Sequence, residues 1–200
     1  MSSKKHLIVL SAPSGAGKTT VARHLLSTFP FLRFSVSATT RPKRAGEEHG
    51  KDYFFLTRDE FRHAIEQNDL IESEEIFGNY YGTLRSVVSE AVARGEFLVF
   101  DVDVKGALSL RAAFPDDTLL IFVAPPDIET LAARLRSRHT ESEEQIEMRL
   151  ARAEMEMGHR DRFDHVLVNA DLSDTLARAE QLVRERTEGA PQQPSLFGEP

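Results

Sequence analysis

The sequence predicts an α/β fold in which a parallel sheet carries helices on both faces. Four short, continuous apolar runs, at residues 6–11, 97–102, 119–124 and 165–168, are typical of strands that are buried on both faces. Helix-like segments lie between these runs, and this alternation is typical of parallel sheets. The chain has 200 residues, of which 40% are hydrophobic, so it is long enough for one sizeable core with insertions.

The first unit of the pattern is a strand, a loop and a helix. The apolar run at residues 6–11 leads into a glycine-containing loop at residues 12–17, and a helical stretch follows at about residues 18–28. A buried strand that turns directly into a helix is the opening of a typical parallel α/β unit.

Residues 35–83 interrupt this alternation. They contain short alternating pieces, such as residues 51–56, and one predicted helix near residues 59–68. We expect a small, strand-rich insertion here. A further helix is expected at residues 84–94, with Thr83 as its N-cap.

The second half contains a charged helical insertion and a final helix. One helix is predicted from Asp127 towards residue 138, and a capping box at residues 140–143 predicts a second that can run to residue 158. Residues 173–187 form a last amphipathic helix. The tail at residues 189–200 is rich in Pro, Gly and Gln, and we expect it to be disordered.

Composition and charge exclude several classes of protein. There are 25 Lys and Arg against 32 Asp and Glu, a formal charge of −7, which argues against a nucleic-acid partner. The absence of cysteine excludes disulfide scaffolds and Cys-ligated metal sites. The apolar runs are too short to cross a bilayer, and a glycine-rich loop follows the first run where a signal peptide would need a cleavage site. We expect a soluble, cytoplasmic protein with no membrane partner.

A phosphate-binding loop is predicted between the first strand and the first helix. Its residues are Ala12, Pro13, Ser14, Gly15, Ala16, Gly17, Lys18, Thr19 and Thr20. The glycines allow backbone N–H groups to surround phosphate oxygens at a helix N-terminus. Lys18 is expected to bind β- and γ-phosphates, and the Thr19 hydroxyl to ligate Mg²⁺. Ala12 replaces the first glycine of the usual pattern, which requires a negative φ there. The alternative is a glycine-rich turn with an exposed lysine.

A second basic site is indicated inside the insertion. Residues 35–53 concentrate Arg41, Lys43 and Arg44 with several hydroxyl groups, in a chain that is acidic overall. A guanidinium group suits bidentate contacts with phosphate oxygens, and hydroxyl groups add neutral donors. The segment is therefore interpreted as a second phosphate site, with a solvated basic loop as the alternative.

Two acidic residues follow the second apolar run. Asp101 stands at the carboxyl end of a predicted sheet strand, where an acid commonly lies near bound Mg²⁺, and Asp103 follows on the same face. Either could orient Mg²⁺ through water or contact a nucleoside.

Arginines are concentrated in the charged helical insertion. Arg134 and Arg138 are four residues apart and share a helical face, and Arg149 and Arg152 follow in the next helix. The spacing by itself is also typical of a salt-bridged pair of surface helices.

The order and spacing of these motifs resemble the guanylate kinase family. The resemblance rests on the phosphate loop, residues 35–53, Ile71-Glu72, residues 79–83 and residues 101–103, and it extends from about residue 7 to about residue 186. It implies a three-layer P-loop kinase fold with a GMP-binding insertion and a helical lid. The residues that it implies for the GMP phosphate are Ser37, Arg41, Arg44, Tyr53 and Tyr81. Those that it places towards guanine are Glu72, Thr83 and Asp101, with Glu47 near the arginines. It implies that Arg134, Arg138 and Arg149 close on the triphosphate and that Asn169 approaches adenine.

The chemistry of guanine is compatible with this implied set. Guanine presents N1–H and N2–H₂ as adjacent donors, and an ionised Glu72 can accept from both. Thr83 can donate to O6. Adenine lacks N1–H and has a donor in place of O6, so the same groups would remain unpaired. Of Tyr80 and Tyr81, only one need reach the site, because consecutive strand residues point to opposite faces.

Two positions depart from the family pattern. Lys105 stands where the family usually has Gln, and His139 stands where it usually has Gly after the second lid arginine. The first leaves open what contacts a ribose or phosphate near that turn, and the second predicts a stiffer lid turn.

We expect transfer of the γ-phosphoryl group of ATP to GMP or dGMP, with Mg²⁺ as cofactor. The acceptor phosphate is largely anionic at cytoplasmic pH, so catalysis requires positioning and neutralisation of charge rather than a strong base. The residues expected to carry it are Lys18, Arg41, Arg134, Arg138 and Arg149.

Three other functions are alternatives. A related kinase with a ribose bisphosphate acceptor would not need the set of Glu72, Thr83 and Asp101. A non-catalytic guanylate-kinase-like binding domain would not need the Gly17-Lys18-Thr19 motif. A P-loop NTPase switch or motor would need a water-positioning residue and a second catalytic motif, which the sequence does not show.

The chain is expected to divide into six segments. They are a core segment with the phosphate loop (1–34), the GMP-binding insertion (35–84), a core segment (85–126), the lid and the helix after it (127–160), a core segment (161–188) and the tail (189–200). The sequence does not indicate an oligomeric state.

Overall fold

The computed structural model describes residues 5–76, 78–137 and 142–187 of the chain. Its strands are β1 (Leu7–Ser11), β2 (Leu32–Phe34), β3 (Ala38–Thr39), β4 (Phe54–Phe55), β5 (Leu70–Ile76), β6 (Asn79–Leu84), β7 (Phe97–Asp101), β8 (Thr118–Ala124) and β9 (His165–Val168). Its helices are α1 (Lys18–Thr28), α2 (Arg58–Glu66), α3 (Arg85–Ala93), α4 (Val104–Ala113), α5 (Ile128–Arg136), α6 (Glu143–Met157) and α7 (Leu172–Thr187), with a 3-10 turn at Arg160–Arg162.

A five-stranded parallel sheet forms the centre of the molecule, in the order β2-β7-β1-β8-β9. One apolar cluster lies between the sheet and helices α1 and α7, and includes Leu25 and Leu182. A second lies on the opposite face against α3 and α4, and includes Val88 and Leu110. The predicted α/β class, with helices on both faces of a parallel sheet, is therefore confirmed.

Apolar runs in the sequence predict four of the five strands of this sheet, but no such run marks β2. This strand has three residues, lies at the edge of the sheet, and exposes Arg33 and Phe34. Leu32 is the one buried residue of the three, so the strand lacks the continuous apolar run that marks a strand buried on both faces. β2 nevertheless matters for the site, because the chain passes from its end into the basic segment.

A four-stranded mixed sheet forms the insertion, in the order β4-β3-β6-β5. β3 pairs in parallel with β4 and antiparallel with β6, while β5 and β6 form an antiparallel pair. Helix α2 covers this sheet and buries Phe61 against Ala38 and Leu70. Thr57 and Glu60 form the capping box at which α2 begins.

Helices α5 and α6 pack against each other through Leu131, Leu135 and Ile146. The Asp127 carboxylate caps α5 by accepting from the Thr130 N–H, as the prediction of a start at this residue required. The capping box of α6 was predicted two residues too early, because Ser142 and Gln145 form it. Both Thr140 and Ser142 have an acceptable partner three residues later, so the sequence pattern did not separate them.

The last predicted helix is confirmed as α7, which begins one residue earlier than expected. The segment 138–141, with Arg138 and His139, and the tail at 189–200 lie outside the described residues. Within the described ranges, no helix is long and apolar enough to cross a membrane.

Candidate active site

The phosphate loop connects β1 to α1 and contains two glycines with positive φ. Gly15 has a φ of 95° and Gly17 a φ of 103°, values that strain any residue with a side chain. A Cβ on Gly17 would also lie 2.5 Å from the Asn169 side-chain nitrogen. Among the described residues, Asn68 is the one non-glycine residue with positive φ. Ala12 therefore has the negative φ that its place in the motif requires.

Lys18 lies between the loop and the end of β7. Its Nζ atom is 2.7 Å from the Asp101 Oδ1 atom and donates to the Val102 carbonyl at 2.9 Å. The Thr19 hydroxyl donates to the Asp101 Oδ2 atom at 3.0 Å. The register of the sheet explains this arrangement, because Leu10 at the end of β1 lies directly beside Asp101. An ammonium group has three donors, so Lys18 retains one for a phosphate oxygen.

The donor set around Thr19 suits Mg²⁺. The Thr19 hydroxyl and the Asp101 carboxylate supply the hard oxygen atoms that this ion prefers. No group of three or more His, Asp or Glu residues able to hold a metal occurs in ranges 5–76, 78–137 and 142–187. The residues therefore fit an ion that is shared with phosphate oxygens and water, rather than one enclosed by protein.

Asn169 supports the phosphate loop from behind. Its side chain is buried, and its amide nitrogen donates to the Ala16 carbonyl at 2.8 Å. Its backbone carbonyl accepts from the Arg134 guanidinium at 2.8 Å, and its amide oxygen lies 3.3 Å from the Thr175 hydroxyl. The resemblance implied that Asn169 approaches adenine. In the structure, its side chain connects the loop to α7, and its backbone carbonyl contacts α5.

Glu47 organises the basic loop of the insertion. Its Oε1 atom accepts from the Arg41 guanidinium at 2.7 Å, and its Oε2 atom accepts from the Arg44 backbone N–H at 2.8 Å. These two hydrogen bonds, with that of Arg41 as the larger cause, lower the pKa of Glu47, and the same contact raises the pKa of Arg41. Glu47 thus holds the arginines in place, while the Arg44 side chain is exposed.

Aromatic rings cover the other side of Arg41. Its guanidinium carbon lies 5.3 Å from the centre of the Tyr53 ring and 5.8 Å from that of Phe55, within cation–π range. Tyr53 and Tyr81 meet edge to face at 6.1 Å. Tyr80 points away and stacks on Phe61, which confirms that only one tyrosine of the pair reaches the site.

Glu72 and Thr83 face each other across the β5–β6 pair. The Thr83 hydroxyl donates to the Glu72 Oε1 atom at 2.7 Å, so its single proton is already used. The prediction that Thr83 is the N-cap of α3 is wrong, because Thr83 lies within β6 and Leu84 occupies the cap position. Burial raises the pKa of Glu72, and the neighbouring Asp103 and Glu74 carboxylates act in the same direction.

The lid arginines reach the donor side of the site to different extents. Arg149 of α6 donates to the Ser14 hydroxyl of the phosphate loop at 3.0 Å. Arg134 of α5 contacts the Asn169 carbonyl behind the loop. Arg138, the third predicted lid arginine, lies outside the described residues.

A cleft of about 920 Å³ separates the phosphate loop from the insertion. The predicted residues that line it are Ala12, Pro13, Ser14, Gly15, Gly17, Lys18, Thr19, Thr20, Ser37, Tyr53, Glu72, Tyr81, Asp101 and Arg149. Those outside its lining are Ala16, Arg41, Arg44, Glu47, Thr83, Arg134 and Asn169. Glu74 and Glu156 also line the cleft, and no motif in the sequence predicts a role for them. A single acidic residue on a strand or helix forms no sequence motif, so its position in the cleft follows only from the folded structure.

Comparison with known proteins identifies the family. A family model described as guanylate kinase matches residues 4–186. The chain is 51% identical over 170 residues to a guanylate kinase of Chlorobium luteolum, covering 85% of this chain and 86% of that one. It is 53% identical over 170 residues to one from Chlorobaculum tepidum, covering 85% and 87%. The crystal structure of guanylate kinase from Anaplasma phagocytophilum matches with a TM-score of 0.68 and 33% identity, covering 97% of this chain and 92% of that one. The chain therefore belongs to the guanylate kinase family, the enzymes that transfer a phosphoryl group from ATP to GMP.

Proposed function

We propose that this chain transfers the γ-phosphoryl group of ATP to GMP across the cleft between the phosphate loop and the insertion. The observation that carries the proposal is the arrangement of two chemically distinct walls. Lys18 and Thr19 form a phosphate and metal wall on one side, and both contact Asp101, which the family resemblance assigns to GMP. Glu72, with Thr83 behind it, forms a hydrogen-bonding wall for a purine base on the other.

The donor phosphates bind at the first wall. Loop N–H groups and the Lys18 ammonium neutralise the β- and γ-phosphates, and Arg149 approaches them from α6. Thr19 is the protein ligand that we assign to Mg²⁺, which when bound would neutralise developing charge on the phosphate oxygens. Asn169 contributes indirectly, because it holds the Ala16 carbonyl of the loop.

The acceptor binds at the second wall. Arg41 and Arg44, held by Glu47, are assigned to the GMP phosphate together with Ser37, Tyr53 and Tyr81. Glu72 accepts from N1–H and N2–H₂ of guanine. Its Oε1 atom already accepts from Thr83, but a carboxylate has four lone-pair sites and can accept further donors. For Thr83 to donate to O6, its hydroxyl must rotate away from Glu72.

Chemistry at the centre requires charge neutralisation more than proton abstraction. The acceptor phosphate has a second pKa of about 6 and is already largely anionic near neutral pH. Lys18, Arg41, Arg149 and the other lid arginines Arg134 and Arg138 are assigned to stabilise charge in the in-line transition state. Closure of segments 35–84 and 127–160 on the core would exclude water and prevent hydrolysis of ATP.

The same proposal assigns segments 35–84 and 127–160 to the acceptor and the lid, and includes dGMP as an acceptor. Glu72 reads only the base, so loss of the ribose 2′-hydroxyl leaves its contacts intact. A cytoplasmic location is proposed because the reaction consumes ATP.

A coupled assay of ADP formation tests this function. ATP and Mg²⁺ would be supplied with GMP, dGMP, AMP, UMP or a ribose bisphosphate as acceptor. We expect GMP to be preferred, dGMP to be used, and the other three to be poor acceptors. A preference for ribose bisphosphate, or ATP hydrolysis that no acceptor stimulates, would contradict the proposal.

A further inference from the structure

Arg152 of α6 connects three acidic residues that belong to three different parts of the chain. Its Nη2 atom lies 3.4 Å from the Glu74 Oε1 atom of β5 and 3.5 Å from the Asp103 Oδ2 atom at the start of α4. Its Nε atom donates to the Glu156 Oε1 atom, one turn along α6, at 2.9 Å. One side chain therefore links the insertion, the core and the helix after the lid.

The partners of Arg152 are themselves coupled to the proposed GMP site. Glu74 lies two residues after Glu72 on β5, so both side chains point to one face, and both line the cleft. Glu74 also lies directly opposite Tyr81 on β6. A displacement of Glu74 would therefore move groups assigned to guanine and to the GMP phosphate.

The Asp103 end of the connection is fixed by the core. Its Oδ1 atom accepts from the Gly106 N–H at 2.8 Å and caps α4. A Cβ on Gly106 would lie 3.4 Å from the Glu72 side chain, so the first turn of α4 packs closely on the proposed guanine-binding residue. Arg152 thus contacts a rigid helix start and a strand that lies beside it.

The charges around Arg152 explain why a cation is needed here. In the part of the chain that the structure describes, five carboxylates line this side of the cleft, those of Glu72, Glu74, Asp101, Asp103 and Glu156. Lys18 neutralises Asp101, while Arg152 contacts three of the other four. Without Arg152, repulsion between Glu74 and Asp103 would favour separation of β5 from α4. A single exposed ion pair contributes little, but one arginine shared by three acids forms a network.

We propose that Arg152 is a positioning residue for the acceptor, which holds the guanine-facing edge of β5 against the start of α4 by its contacts with Glu74 and Asp103. This inference rests on the proposed function of Glu72. It requires no contact between Arg152 and either nucleotide. The network should therefore affect GMP binding, and it should leave ATP binding and the chemical step nearly unchanged.

A double-mutant cycle tests the proposal. The variants are Arg152→Met, Glu74→Gln and the double variant, and the measurements are KM for GMP, KM for ATP and kcat. We expect each single variant to raise KM for GMP by about five- to twentyfold, with the double variant no worse than the poorer single one. KM for ATP and kcat should stay within about twofold. Arg152→Lys should retain part of the affinity that Arg152→Met loses, because it keeps the charge but lacks the fork that reaches several partners.

Arg160→Met is a matched control, because the side chains of Arg160 and Arg152 are equally exposed, at 54%. We expect this control to behave as wild type. Additive losses in the double variant or a fall in kcat would overturn the proposal, and an equal rise in KM for ATP would show direct phosphate binding and overturn it as well. Failure of the proposed function is distinguishable from this result, because it would appear as a wild type without preference for GMP, or as a Glu72→Gln variant that keeps the wild-type ratio of GMP to AMP.

Discussion

The phosphate and metal wall depends most on the single charge of Lys18. It donates to two oxygens at the end of β7, so its ammonium group is oriented before it contacts a phosphate. Such preorganised donors stabilise a transition state at little cost in reorganisation.

Lys18→Met should therefore lower kcat by about 10²–10³-fold, the loss typical of one preorganised donor. Lys51→Met is a suitable control, because the Lys51 side chain is 75% exposed and lies outside the cleft lining. Steady-state kinetics with ATP and GMP would measure the difference. Turnover of the Met variant close to wild type would remove Lys18 from the mechanism.

Base selection should depend on the carboxylate of Glu72. Glu72→Gln replaces one acceptor oxygen by an NH₂ group that faces the donors of guanine, while the phosphate-binding residues are unchanged. The kcat/KM for GMP should fall strongly and that for AMP much less. A GMP-to-AMP ratio within about threefold of wild type, under 1 kcal/mol, would contradict the assignment.

The pH dependence of the same ratio provides a separate test. Guanine requires ionised Glu72, and burial raises the pKa of this carboxyl above its usual value. The ratio of kcat/KM for GMP to that for AMP should therefore fall as the pH is lowered through the raised pKa. Both substrates carry the same phosphate, so titration of that phosphate cancels. A ratio that is constant down to the ordinary pKa of Glu would contradict this role.

The same raised pKa predicts the effect of Glu72→Gln on stability. A folded-state pKa above the unfolded value means that the unfolded chain ionises first, so wild-type stability falls as pH rises through that range. The Gln variant has no such charge, and its thermal midpoint should exceed that of wild type at neutral pH but not at acidic pH. Equal midpoints at neutral pH would show that Glu72 ionises without cost in the folded protein.

Among the secondary-structure elements, the β5–β6 pair determines the geometry of the hydrogen-bonding wall proposed for the purine base. Gly82 of β6 lies between Tyr81 and Thr83, and a Cβ there would be 2.7 Å from the Glu72 backbone carbonyl. The same Cβ would lie 3.1 Å from the Phe61 ring of α2, so the strand cannot shift towards that helix to make room. Gly82 thus permits the close approach of the two strands that carry the proposed base contacts.

Gly82→Ala should destabilise the protein by about 1–3 kcal/mol through overpacking and should raise KM for GMP more than KM for ATP. Ser73→Ala is the control, because Ser73 pairs with Gly82 but is exposed. Thermal unfolding and steady-state kinetics would measure both effects. If the two variants have the same thermal midpoint, the close approach of the strands at Gly82 is not required for stability.

At the scale of the whole molecule, Asn169 is a junction between distant elements. Its backbone N–H donates to Ala124 at the end of β8, its side chain supports the phosphate loop, and its carbonyl receives Arg134 of α5. The position of a lid helix and that of the phosphate loop are therefore linked through one buried residue.

Asn169→Ala should cost about 1–3 kcal/mol of stability, because the Ala16 carbonyl loses its side-chain partner in a buried place. KM for ATP should rise, and KM for GMP should change little. Asn169→Asp is the sharper variant, because it keeps the shape but places an oxygen opposite the carbonyl. Equal changes in the two KM values would show a general loss of folding rather than a specific effect on the loop.

Sequence patterns were sufficient where a local signal determines structure. Continuous apolar runs identified four strands of the parallel sheet, and the Gly-Lys-Thr motif identified the start of α1. The tyrosine pair was interpreted correctly, because strand residues alternate between faces regardless of context. Local signals failed at β2, whose edge position removes the apolar run, and at α6, where two capping boxes compete.

The sequence by itself determined the α/β class, the phosphate loop and, through the resemblance, the family. These depend on short-range periodicity and on motifs whose residues are contiguous. Only the tertiary structure decided that Thr83 donates to Glu72, that Asn169 supports the loop, and that Arg152 links Glu74 to Asp103. Those contacts join residues that are separated in the chain, and no sequence pattern predicts which partner a given acidic residue or arginine will contact. They exist because the register of the strands and the packing of α6 bring the groups together.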